Sequence, residues 1–177
     1  LIRDDEDNPQ NPPKRRNNNP PSLGDYEVVK FAQGFSSIRQ RSSGEIMHSV
    51  NKPVEEAERL YVGQSYLANR LIRRADDDAE MVIWDVGLGA ATNAMAAVHC
   101  FEKALAENGT DKLRPLRLIS FECDLDPLTL ACRDNSNFLY LRHSAPHHIL
   151  RHGRWQHNSQ LLTWELLKGD FLELFWK

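Results

Sequence analysis

The sequence predicts an α/β fold, and three observations carry that reading. The apolar run Met81, Val82, Ile83, Trp84 ends at Asp85, turns through Gly87 and Gly89, and passes into an alanine-rich helical pattern from Ala91 to about Asn108-Gly109. That is strand, tight turn, helix. Leu116 to Asp124 then reads as a second buried strand, followed by a helix start at Asp126-Pro127, so strand and helix patterns alternate.

Length and composition bound what such a fold can be. A chain of 177 residues suffices for one domain with a sizeable core, and 41% apolar with 27% charged residues is a soluble, globular balance. No apolar run approaches the roughly 18 residues of a membrane span, and no signal-peptide pattern opens the sequence. The three cysteines, Cys100, Cys123 and Cys132, are odd in number and lie in apolar patterns. They are expected to be buried reduced thiols, which places the protein in the cytoplasm. A formal charge of −3 argues against a globally basic nucleic-acid binder and leaves room for a local basic face.

Taken in order, Leu1 to Asp25 is rich in Asp, Asn, Pro, Lys and Arg and offers almost nothing apolar to offset the entropy of ordering, so a disordered tail is expected. Within it, Lys14, Arg15 and Arg16 read as a solvated charge run. The remainder, residues 26–177, is expected to form the folded domain. Tyr26 to Ser49 carries β-branched and alternating stretches broken at Gln33-Gly34 and Ser42-Ser43-Gly44, which predicts two or three short strands with hairpin turns. Leu60, Gln64, Leu67 and Leu71 recur at helical spacing after Pro53, Glu55 and Glu56, predicting one helix through Gly63. The acidic stretch Ala75 to Glu80 is a loop. Residues Tyr140 to His157 are rich in Arg and His; His143 and His147 are four apart, but Pro146 argues against a helix and no carboxylate or cysteine completes a ligand set, so no metal is assigned. A basic face toward RNA phosphates and a plain solvated face both fit this segment. Ile149 to Trp155 and Leu161 to Leu167 read as two strands about the turn His157 to Gln160.

The glycine turn carries the chemistry. Glycines at 87 and 89 permit positive φ and close approach of a ligand to the backbone, and the following helix begins with unpaired N–H groups. A dinucleotide fingerprint would place a third glycine where Thr92 stands, and Asp85 suits a cation better than a pyrophosphate. S-adenosylmethionine (SAM), with an ammonium, a sulfonium and no phosphate, is the better match. A turn whose glycines serve geometry alone reads the same locally. Glu122 ends the second strand, where a carboxylate can accept hydrogen bonds from both ribose hydroxyls, with Asp124 and Asp126 as rivals.

Four segments together resemble the bacterial tRNA wobble-uridine methyltransferases, the MnmC methyltransferase domain and its standalone MnmD relatives: IMHS followed by PVEEAERLYVGQSYLANRL; WDVGLGAATNAM; LISFECDLDPLTLA; and LLKGDFLEL. The similarity runs over residues 45–177, and its specificity lies in the order and spacing of the segments. It implies a Rossmann-like class I methyltransferase three-layer sandwich, of which this chain carries the N-terminal part, preceded by a β-hairpin extension. It also implies SAM as cofactor, tRNA as partner, and methylation of the aminomethyl nitrogen of a modified wobble uridine. Asp85, Gly87, Gly89, Thr92 and Asn93 would hold the methionine portion, Glu122 the ribose and Asp170 the adenine, with Met47, His48 and Ser49 in the pocket wall.

Two departures from the family pattern stand out. Ala91 replaces a loop glycine, and the acidic Asp-x-Phe type motif that would handle the acceptor amine is absent, so the catalytic residue is expected beyond Lys177. In the class I sheet the first strand is flanked on both sides; with its second neighbour missing, Met81 to Val86 would present an open apolar edge, to be covered by self-association or a partner chain. Other readings remain: a SAM-dependent methyltransferase acting on a small molecule or protein, or a non-catalytic Rossmann-like interaction module.

Overall fold

The structure, a computed structural model, describes residues 20–47, 51–74 and 79–175. The expectations for His48 and Ser49, for residues 1–19 of the tail with its Lys14 to Arg16 run, and for residues 75–78 of the acidic loop lie outside these residues. A small antiparallel sheet comes first, with strands β1 (Ser22–Leu23), β2 (Tyr26–Lys30) and β3 (Ser36–Gln40) in that order. The ordered hairpin region therefore begins before Tyr26, because Ser22 and Leu23 pair with Glu27 and Tyr26.

The predicted single helix after Pro53 is instead three pieces. Helix α1 (Pro53–Ala57) widens into a π-helix over Glu58–Gly63, and α2 (Leu67–Leu71) follows a turn. The break has local causes: the Ser65 hydroxyl donates to the Val62 carbonyl at 3.2 Å and to the Tyr61 carbonyl, and Tyr66 sits left-handed at φ 53°. Side-chain bonding to backbone carbonyls competes with the helical ladder.

The main sheet has the order β4 (Met81–Val86), β5 (Leu116–Glu122), β7 (Leu162–Lys168), β6 (Arg154–Gln156). The first three strands are parallel, and β6 runs antiparallel to β7. Helix α3 (Thr92–Asn108) links β4 to β5, while α4 (Asp126–Arg133) and α5 (Ser144–His152) link β5 to the β6–β7 hairpin. Helix α3 ends at Gly109, whose φ of 80° is a glycine conformation.

Two expectations between Tyr140 and Trp155 are corrected. Pro146 lies inside α5, in the first turn, where backbone N–H groups have no intrahelical partner to lose. Ile149 to His152 are accordingly helical, and of the expected first strand only Arg154 and Trp155 are extended, in a strand that runs on to Gln156. The cysteine expectation also changes: Cys123 is exposed, while Cys100 and Cys132 are partly buried, and all three are free thiols. Cys123 follows the last residue of β5, past the point where the alternation directs side chains inward.

The core lies on one face of the main sheet. Leu116, Leu118, Leu162 and Trp164 are at most 1% exposed and pack among residues of α3, α4 and α5 such as Phe101, Leu128 and Ile149. A short terminal helix, α6 (Phe171–Phe175), places Phe171 against Trp84 and Phe121. No helix among the described residues is long and apolar enough to cross a membrane.

Candidate functional site

The C-terminal ends of three parallel strands converge. Gly87 N–H donates to the Phe121 carbonyl at 3.0 Å, and Gly169 N–H donates to the Glu122 carbonyl at 2.9 Å, so the glycine turn, the end of β5 and the end of β7 lie side by side. This is the edge of a parallel α/β sheet at which ligands bind.

A cavity of about 160 Å³ opens at the turn, with Met47, Gly87, Gly89, Thr92, Asn93 and Glu122 in its wall. Space beside Gly87 is open, since a Cβ there would meet nothing within 4 Å, whereas one on Gly89 would press on the Met47 sulfur at 3.1 Å. The volume is below the roughly 300 Å³ at the lower end of small-ligand sites, so this hollow suits one portion of a cofactor rather than the whole. A neighbouring groove of about 350 Å³ runs along β4 and α3; it shares Asn93 and is also lined by Asp85, Ile83, Ala94 and Ala97.

Glu122 points into the turn. One carboxylate oxygen accepts from Gly89 N–H at 2.8 Å; the other accepts from Cys123 N–H at 2.8 Å and Asp124 N–H at 3.1 Å. Three of about four acceptor sites are thus taken by the backbone. Glu122 clasps the glycine turn to the end of β5, and a ribose would have to share its oxygens or displace the Gly89 bond. The rivals are arranged differently: Asp124 accepts from Asp126 N–H at 2.9 Å, and Asp126 opens α4.

Asp85 faces inward. Its carboxylate accepts from the Ser120 hydroxyl at 2.7 Å, and Ser120 in turn accepts from the Trp164 indole N–H at 2.9 Å. Desolvation pushes the Asp85 carboxyl up from 3.8 to about 6, against the stabilising Ser120 bond and with a further push from the nearby Glu122 charge. A ligand cation beside it would favour its ionised form.

Asn93 supplies the most direct sign of a missing partner. Its side-chain oxygen is buried and, among the described residues, accepts no hydrogen bond. Such orphaned acceptors are rare in folded proteins, and each calls for a donor. Together with Asp85 in the shared groove, it fits a ligand bearing an ammonium group, as the methionine portion of SAM does.

Thr92 and Asp170 are engaged elsewhere. The Thr92 hydroxyl lies 3.0 Å from the Tyr140 hydroxyl, which donates to the Ala90 carbonyl at 3.0 Å, so Thr92 faces a brace behind the turn. Burial pushes the Tyr140 phenol well above its ordinary value, which keeps it a neutral donor. Asp170 is exposed and caps α6, accepting from Leu172 N–H at 2.8 Å and Glu173 N–H at 3.3 Å. It lines neither hollow. Ala91 is buried in the left-handed region at φ 60°, a conformation that costs a non-glycine residue about 1–2 kcal/mol.

Ser120, Trp164 and Tyr140 escaped the sequence reading. A lone hydroxyl in the apolar strand LRLISFE was a signal for Ser120; Tyr140 had none, because it meets Thr92 across 48 residues of sequence. His143 and His147 are also held by protein groups. His143 Nε2 lies 2.9 Å from Glu102, and His147 Nε2 lies 2.8 Å from the Leu141 carbonyl.

No family model matches the sequence. No curated protein matches it either. Among solved structures, the crystal structure of MNMC2 from Aquifex aeolicus is similar to this chain with a TM-score of 0.57 and 21% identity, over 85% of this chain and 44% of that one. The chain therefore spans less than half the length of that protein. At this identity the likeness concerns the fold: it supports, at that level, the resemblance drawn from the four sequence segments, and the chain has a Rossmann-like α/β architecture.

Proposed function

We propose that the protein is a SAM-dependent methyltransferase that transfers a methyl group to the aminomethyl nitrogen of a modified wobble uridine in tRNA. The observation that carries the cofactor half is the buried, unpartnered Asn93 oxygen in the groove that Asp85 also lines, at the head of the glycine turn. A cationic amino-acid end would answer both groups, with the Gly87 to Gly89 backbone beside it and Thr92 behind the turn. Glu122 would receive the ribose. Asp170 is proposed for the adenine end from the family resemblance, which its capping of α6 neither requires nor prevents. Met47 would wall the pocket over Gly89.

When bound, SAM supplies the electrophilic methyl. The protein's part is to fix that methyl in line with the acceptor nitrogen and to exclude water. The acceptor's proton would be handled by an acidic motif of the kind the family carries. The sheet face left open beside β4 would be covered by a second copy or by a partner chain. A cytoplasmic location follows from the tRNA substrate.

The direct test is methyl transfer from labelled SAM to tRNA carrying the unmethylated aminomethyl uridine, using the longest natural form of the protein. Labelled wobble uridine is expected. Labelling of small molecules or protein instead would favour the other methyltransferase readings, and absence of SAM binding would favour an interaction module.

A further inference from the structure

Charge is unevenly distributed along the chain. Residues 135–164 contain no Asp or Glu, yet hold Arg142, Arg151, Arg154 and five of the seven histidines, in a chain whose formal charge is −3. The fold gathers part of this excess along α5 and the turn that leads into it. Along α5, His148, Arg151 and His152 are exposed, with the His148 and His152 rings 5.5 Å apart, and Arg142 is exposed just before the helix. Among the described residues, no carboxylate pairs with Arg142, Arg151, His148 or His152; Arg154 has Glu165 at 3.9 Å, a carboxylate already held by Arg117 at 2.9 Å.

The location of this face matters as much as its charge. Gly153, which ends α5, accepts from Leu166 N–H near the C-terminal end of β7, and that strand end is bonded to Glu122 through Gly169. The Arg151 and His152 end of α5 therefore lies at the rim of the sheet that carries the glycine turn, and Arg142 stands at the helix's other end, about 13 Å along its axis. Two strand spacings, about 10 Å, separate the β5 and β6 positions across that rim. The arginines at the opposite end of β4, Arg70, Arg74 and Arg114, are interleaved with Glu80 and lie away from the turn.

We propose that the exposed face of α5 together with the turn before it, with Arg151 and Arg142 as the principal contacts, binds the sugar-phosphate backbone of an RNA whose reacting nucleoside enters at the glycine turn. Fixed arginine charges flanked by exposed histidines suit a phosphate chain better than a folded protein partner. The proposal rests on the tRNA reading above and names the surface that reading leaves unassigned.

The test is fluorescence anisotropy of a labelled, folded tRNA transcript with the wild type, with R142Q/R151Q, and with Arg59→Gln on the π-helix as a control, between about 50 and 200 mM salt. Each lost phosphate contact should reduce the slope of log affinity against log salt by about 0.9, so the double variant should be shallower by nearly two and bind at least tenfold more weakly near 100 mM. Circular dichroism melts verify that the fold is kept, and the control should match the wild type. Unchanged affinity and slope in R142Q/R151Q, no tRNA association by the wild type, or equal competition by poly-glutamate would overturn the proposal. Cofactor binding, measured separately by calorimetry, keeps the two readings apart: its absence alongside arginine-dependent tRNA binding would sink methyl transfer and leave this surface standing.

Discussion

The two faces of the main sheet are built from similar residues and meet opposite fates. On the face packed by α3, α4 and α5, Leu118 and Trp164 are 1% and 0% exposed; on the other, Val82, Trp84, Val86 and Leu167 are 47%, 48%, 58% and 43% exposed. Parallel sheets occur almost only with both faces covered. What covers this second face within the described residues is chiefly Phe171 of α6 near Trp84 and Phe121, and the Arg117–Glu165 pair lower down. The edges differ in the same way. Strand β6 is three residues long and carries Arg154, a short, charged and protected edge, while β4 presents six residues of MVIWDV with a partner on one side only among the described residues. The sheet is thus finished on one side and apolar and exposed on the other, and the glycine turn sits on the strand where the two conditions meet.

Substitutions on the two faces should part company. Trp164→Ala on the covered face removes a fully buried ring and the indole bond to Ser120, and should cost about 3–5 kcal/mol in denaturant unfolding; a loss below about 1 kcal/mol would mean that the core is loosely packed. Asp85→Asn, on the covered side of the edge strand, should have the opposite sign. With the folded carboxyl raised from 3.8 to about 6, the native state holds the proton more tightly, so stability declines as pH rises through that window and is lowest above it. The amide should therefore stabilise the ligand-free protein at about pH 7 by about 1–2 kcal/mol, flatten its profile between about pH 4 and 6, and weaken cation binding. Thermal melts across that pH range would decide, and a destabilised, still pH-dependent variant would contradict the assignment.

Val86→Lys on the open face should change stability least, by about 0.5 kcal/mol or less. Its effect is expected in association. Sedimentation velocity should find concentration-dependent self-association of the wild type that the lysine weakens, whereas a well-behaved wild-type monomer at every concentration would count against a second copy as the cover.

The comparison also explains what the sequence made legible. The glycine turn, α3 with its Gly109 end, β5 and β7 are written in runs of six or more residues whose period and punctuation are local. The structure gathers Gly87, Gly89, Thr92, Asn93 and Glu122 around one cavity, and that convergence of two strand ends was readable from order alone. Features set by distant partners were not. Asp85 reads as a lip for a cation, yet its inward set comes from Ser120 and Trp164 on two other strands. Pro146 misled because its position in the first turn, not its identity, decides whether a helix survives. The π-helix at Glu58–Gly63 has no pattern separable from an α-helix, since the apolar spacing that predicts helix is shared by both.

The central claim is that the glycine turn with Glu122 receives a sulfonium nucleoside, and titration calorimetry of SAM against the wild type and Glu122→Ala tests it most directly. The account predicts saturable one-to-one binding that weakens by about 1–3 kcal/mol in the variant, the scale of losing a charge-assisted hydrogen-bonding partner. Equal affinity in both proteins, with the variant's fold intact, would remove Glu122 from the site and contradict the account.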